Sequence, residues 1–158
     1  MKTLIVYDSF FGNTEKIAKA IGSALGNSED VSVCQVANLK PEQMQGVDLI
    51  IVGSPTRAFR PTKPIQTLLA SIPARGLQGV QAAAFDTRIS IKEVNNGFLN
   101  VMVKLFGYAA EPIAKQLAKK GAALALPAEG FFVKESEGPL KDGELERAAD
   151  WAKQISAA

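Results

Sequence analysis

The feature that most constrains this chain is its alternation of short, wholly apolar runs with helical repeats. Leu4-Ile5-Val6 and Leu49-Ile50-Ile51-Val52 contain no polar residue. Strands with that composition are buried on both faces, as in a parallel sheet covered by helices. Between the runs the apolar period changes. Ile17, Ile21 and Leu25 recur every four residues over 13–25, with Glu15, Lys16 and Lys19 outward. Ile65, Leu68, Leu69 and Ile72 do the same after a start marked by Thr62 and Pro64. In chain order the pattern predicts strands at 3–7, 31–36, 48–53, 80–85 and 122–126. Helices are expected at 13–25, 62–72, 111–120 and 144–155, with a short one within 39–45 and a further extended piece at 131–133. This alternation implies an α/β fold, a doubly wound five-stranded parallel sheet in a three-layer α/β/α arrangement. The chain shows no internal repeat or linker, so residues 1–158 read as one domain.

Several function classes drop out on composition. There is no histidine, which excludes Ser-His-Asp and Cys-His catalysis and removes the commonest zinc and haem ligand. A single cysteine, Cys34, allows no intrachain disulfide and reads as a small buried hydrophobe in the second strand. A net charge of +2 argues against nucleic acid. No run of about 18 apolar residues exists to span a membrane. Met1-Lys2 leads directly into the first strand, which is unlike a signal peptide, so the expected location is cytoplasmic.

In an open parallel sheet, ligands bind beyond the carboxyl ends of the strands, where strand order reverses. Three loops are expected there: Ser9-Phe10-Phe11-Gly12-Asn13-Thr14, then Ser54 to Pro61, then Asp86-Thr87-Arg88. The first joins a strand directly to a helix. It therefore offers free backbone N–H groups at the positive end of a helix dipole. Ser9 and Thr14 add hydroxyls, Gly12 permits a tight turn, and Asn13 is suited to cap the helix. The loop contains no lysine or arginine, so a phosphate bound there relies on neutral donors. Other phosphate loops fail: neither G-x-x-x-x-G-K-[ST] nor G-x-G-x-x-G follows the first strand. A phospho-receiver domain needs an aspartate ending strand three, where this chain has Gly53-Ser54.

The run from Ile5 to Ile21, IVYDSFFGNTEKIAKAI, resembles the flavodoxin signature at every constrained position. Gly53-Ser54-Pro55-Thr56 is similar to that family's turn after strand three, and the ending from Gly121 to Trp151 looks like that of bacterial flavodoxin-like proteins. The resemblance implies a sheet order of 2-1-3-4-5 and flavin mononucleotide (FMN) as cofactor. The implied cofactor-binding residues are Ser9, Phe10, Phe11, Gly12, Asn13 and Thr14 at the phosphate, with Pro55, Thr56, Arg57, Ala58, Phe59, Asp86, Thr87 and Arg88 around the ring. No catalytic side chain is required of the protein, because the flavin does the chemistry. The implied role is an electron carrier serving a redox partner protein. Two alternatives stand beside it: a small FMN-dependent NAD(P)H reductase, and a flavin-free interaction module on the same fold.

The sequence departs from the family pattern in three ways. Flavodoxins commonly stack the ring on Trp or Tyr from the second and third loops. Here the only tryptophan, Trp151, falls on the same helical face as Leu145, Ala148, Ala152 and Ile155 and reads as core, leaving Phe59 as the stacking candidate. Residues 54–61 hold two prolines and no glycine, so the backbone turn that favours one-electron-reduced flavin is restricted. Finally, the isoelectric point is near 8.7, whereas typical flavodoxins are acidic. Arg57, Arg60, Lys63 and Arg88 are expected to gather at the flavin rim, a setting for an acidic partner or NAD(P)H. The apolar stretch 98–106 reads as a buried helix, a lid over the flavin or a homodimer interface.

Overall fold

The computed structural model of the chain describes residues 1–26, 29–57, 60–89, 97 and 107–157. The apolar runs become parallel strands: β1 (Thr3–Tyr7), β2 (Val31–Gln35), β3 (Leu49–Pro55), β4 (Gln81–Ile89), β5 (Ala123–Leu124) and β6 (Glu129–Val133). Their order is β2-β1-β3-β4-β5, the order the resemblance implies, with β6 also paired to β4. β5 pairs with Gln81 and Ala82, and β6 pairs with Phe85 to Ile89. Since β3 holds the opposite edge of β4, β5 and β6 share one sheet edge. The fifth sheet position is thus split in two. Pro127, which cannot donate to a ladder, lies between the halves.

The helices described are α1 (Asn13–Leu25), α2 (Lys63–Ser71), α3 (Ala110–Lys119) and α4 (Glu144–Ala157), with 3₁₀ turns at Val36–Asn38 and Pro41–Met44 in place of the short helix expected at 39–45. Strand residues alternate between two cores, as the pleat requires. Leu4, Val6, Ile50, Val52, Ala82 and Ala84 face α2 and α3, together with Ile65, Leu69, Ile113 and Leu117. Ile5, Tyr7, Leu49, Ile51, Ala83 and Phe85 face α1 and α4, together with Ile17, Ile21, Trp151 and Ile155. In that second core Phe85, Phe131 and Trp151 meet edge to face, with ring centroids 6.0–6.3 Å apart. Such pairs contribute about 0.5–1.5 kcal/mol beyond their buried area. Trp151 is therefore core, as its helical position predicts.

Several local expectations need correcting. Leu145 is exposed although it shares the helical face of Ala148 and Ala152, because it lies in the first turn of α4, where that face runs past its neighbours. Cys34 is only half-buried, since β2 is an edge strand whose outer residues are not covered. β4 runs to Ile89 rather than ending at 85, so Asp86, Thr87 and Arg88 are strand residues. The cause is β6, which supplies a hydrogen-bonding partner for that end of β4.

Candidate functional site

The carboxyl ends of β1, β3, β4 and β6 border one cleft. Ser9, Phe10, Phe11, Asn13, Thr14, Pro55, Thr56, Arg57, Thr87, Arg88, Ile89, Val133 and Ser136 line it. All three loops expected at the switch point are represented. The sequence reading missed Ile89, Val133 and Ser136. The latter two belong to a turn closed by the Val133–Leu140 bridge, and only its proximity in the fold brings it to the cleft.

Around residues 9–14 the backbone is tightly prescribed. Ser9 N–H donates to Asp8 Oδ1 at 2.9 Å, and Ser9 Oγ accepts from Gly12 N–H at 3.0 Å. Gly12 has φ +88°, the left-handed region that glycine enters without steric cost. It stands at the N-cap of α1, and its carbonyl accepts from Lys16 N–H at 3.1 Å. Asn13 is accordingly the first helical residue and not the cap. Its side-chain Nδ2 donates to Glu137 O at 3.0 Å, tying α1 to the 133–140 turn. The amides of Phe10, Phe11, Asn13, Thr14 and Glu15 donate to no protein acceptor among the described residues. A helix start leaves such donors open, and the dipole makes them attractive to an anion.

Thr14 is buried, and its Oγ1 lies 2.8 Å from Thr87 Oγ1. Two hydroxyls carry two hydrogens, of which this contact uses one. A donor therefore remains for a group in the cleft. Tyr7 ends β1 beneath this helix. It donates to Glu15 Oε1 at 2.8 Å, and burial, reinforced by the Glu15 carboxylate, pushes its phenol up to about 12.

The second loop is pinned at both ends. Thr56 N–H donates to Thr87 O at 3.0 Å, and Thr56 Oγ1 accepts from Ala109 N–H at 3.1 Å. Ser54, fully buried, accepts from Thr62 N–H at 3.0 Å. Thr62 is the N-cap of α2 but makes no side-chain cap bond; its buried hydroxyl has no partner among the described residues. Arg57 and Arg60 exchange backbone N–H···O bonds at 2.8 and 2.9 Å. Ala58 and Phe59 lie outside the described residues, as does the stretch 98–106 with its lid and dimer readings.

The four basic residues expected at one rim separate. Arg57 and Arg88 line the cleft, whereas Arg60 borders a groove beside Gln66 and Pro112, and Lys63 one beside Val36 and Leu39. Arg88 is largely committed. Its Nε and Nη2 hold Asp86 at 2.6 and 2.7 Å, and its guanidinium lies 3.8 Å from the centre of the Tyr108 ring. Asp86 is fully buried, and its Oδ2 also accepts from Ala110 N–H at 2.8 Å. Burial pushes its carboxyl up, against the pull of Arg88 and the Ala110 amide. Asp86 points to the α3 side, away from Thr87, and does not line the cleft. Beside Arg88, a Cβ on Gly130 would overlap the guanidinium, so glycine is needed for that close approach.

No group of three or more metal-ligating side chains occurs among the described residues, and none of their helices is long and apolar enough to cross a membrane. The donor set suits a phosphate monoester: open amides at a helix start, Ser9, and the paired threonines Thr14 and Thr87.

Residues 4–85 match a protein family described as the flavodoxin domain. Among solved structures, the chain is similar to a flavodoxin from the domain Archaea, with 23% identity and a TM-score of 0.76 over 99% of this chain and 97% of that one. It is also similar to oxidised flavodoxin 1 from Bacillus cereus, with 18% identity and a TM-score of 0.77 over 99% and 98%. A third likeness is to rubredoxin oxygen:oxidoreductase from Desulfovibrio gigas, with 19% identity and a TM-score of 0.69; it covers 99% of this chain but 35% of that one. No curated protein matches the chain in sequence.

Proposed function

The chain belongs to the flavodoxin family, and from that premise we propose that it holds FMN in the cleft above β1, β3 and β4 and carries electrons between redox partners. The observation that carries this reading is the set of open amides of Phe10, Phe11, Asn13, Thr14 and Glu15, beside the remaining donor of the Thr14–Thr87 pair. A phosphate there satisfies donors that otherwise face only water.

The bound flavin supplies the redox chemistry, and the residues of the chain supply placement. Ser9, Thr14 and Thr87 hold the phosphate end together with the amides of Phe10, Phe11, Asn13, Thr14 and Glu15. Pro55 and Thr56 border the ring side, and Arg57 stands between that side and the 9–14 loop, over Phe10. Arg88 and Ile89 close the third wall, while Asp86 acts indirectly by fixing Arg88. No side chain here is asked to transfer a proton or attack a substrate.

The carrier role is preferred over the NAD(P)H reductase because the basic rim that favoured the reductase is dispersed: Arg60 and Lys63 lie elsewhere and Arg88 is paired. The flavin-free module draws on the exposed Phe10 and Phe11, and the open amides oppose it.

The test is a fluorescence-quenching titration of FMN with wild-type protein and with Thr14→Val. The reading expects saturable quenching in the wild type. It also expects weaker binding by the variant, about tenfold for one lost bond to a charged group. Equal binding by the two proteins contradicts the assigned phosphate site. No binding by the wild type contradicts the function.

A further inference from the structure

The first loop has no basic residue of its own, but the fold brings one to it. Arg57, from the loop after β3, sits with its guanidinium carbon 4.9 Å from the centre of the Phe10 ring. Both residues line the cleft and both are exposed. Among the described residues, Arg57 makes no ion pair, in contrast to Arg88. It is therefore the cleft's available positive charge, stationed over the first residue of the run of open amides. Its backbone is fixed by the paired bonds to Arg60, which limits where the side chain can reach.

We propose that Arg57, held on the face of Phe10, is the residue that makes this cleft prefer a phosphorylated flavin over the same flavin without its phosphate. The inference rests on the flavin-binding reading above and adds to it a specificity determinant outside the phosphate loop. The physical case has two parts. A guanidinium presents a planar fork that matches phosphate oxygens, and its charge strengthens each bond it donates. Stacking on an aromatic face holds that fork in place before the ligand arrives, which lowers the entropy lost on binding. Phe10 thus positions Arg57; it is not itself a phosphate ligand through its side chain.

The experiment measures dissociation constants for FMN and riboflavin side by side, using wild type, Arg57→Ala, Arg57→Lys, Phe10→Leu and the double variant Phe10→Leu/Arg57→Ala. These positions are exposed, and far-UV circular dichroism verifies the fold of each variant. Arg57→Ala is expected to weaken FMN about tenfold, the scale of one charge-assisted contact, with riboflavin changed by less than about twofold. The FMN affinity of the wild type falls with added salt, and that dependence is shallower in Arg57→Ala. Arg57→Lys, which keeps the charge but not the fork, falls between. Phe10→Leu weakens FMN less than Arg57→Ala and adds nothing in the double variant, because the two residues act as one unit. An unchanged FMN-to-riboflavin ratio in Arg57→Ala, or equal weakening of both ligands, overturns the proposal while leaving flavin binding intact. A wild type that binds neither ligand overturns the functional reading, and this inference with it.

Discussion

Thr14 Oγ1 and Thr87 Oγ1 lie 2.8 Å apart although 73 residues separate them in the chain. The contact joins the start of α1 to the end of β4 and places two of the three cleft walls in fixed relation. Thr14 is buried, so loss of its partner leaves a hydroxyl unsatisfied. Thr87→Val is expected to cost about 1–3 kcal/mol of stability in urea denaturation, with Thr87→Ser retaining most of it. A valine variant as stable as the wild type contradicts this role.

The Asp86–Arg88 pair makes a second prediction. Asp86 is fully buried, and Arg88 supplies two of its bonds. Arg88→Met removes the counter-charge and is expected to destabilise the protein by roughly 3–5 kcal/mol. Asp86 already titrates above the usual carboxylate range because of burial, and without Arg88 it rises further. Its ionisation then costs more as pH rises, so the variant's deficit is larger at pH 7 than at pH 5. Denaturation at the two pH values checks the sign. Gly130→Ala, which pushes into the same guanidinium, is expected to act in the same direction.

How far these features could be read from the sequence depends on how local they are. The strand positions and the 9–14 loop were legible because continuous apolar runs and a strand–turn–helix corner are encoded within a few residues, while the sheet order came from the family resemblance that this corner carries. The end of β4 was not. Asp86, Thr87 and Arg88 look like a loop until β6, more than 40 residues later, pairs beside them. Arg57 on Phe10 and Asn13 on Glu137 are likewise contacts between loops that no spacing announces. The errors at Cys34 and Leu145 share a cause: periodicity says which residues can face a core, but at an edge strand or a helix end there is no neighbour to cover them.

The two ends of the pH range probe different anchors. Glu144 accepts from Phe132 N–H at 2.7 Å and from Arg147 at 2.9 and 2.8 Å. Burial pushes its carboxyl up, but those bonds outweigh burial and hold it below the usual range. A depressed carboxyl contributes stability above its ordinary range and loses it as pH falls through the folded value. Glu144→Gln is expected to flatten acid denaturation in that region. Tyr7 works in the opposite sense. Its folded value near 12 lies above the ordinary 10, so its contribution is full below pH 10 and lost between about 10 and 12. Tyr7→Phe is expected to remove that alkaline step, seen as the pH dependence of the circular dichroism melting temperature.

The account's central claim is that the cleft above β1 holds FMN, and the visible absorption spectrum tests it most directly. The purified protein is mixed with excess FMN, passed through a desalting column and scanned. The account predicts retained bands near about 375 and 450 nm, the oxidised-flavin range, at close to one flavin per chain, together with a melting temperature raised by the bound ligand. A colourless protein after desalting, with an unchanged melting temperature in the presence of FMN, would contradict it and leave the 9–14 loop as a structural corner.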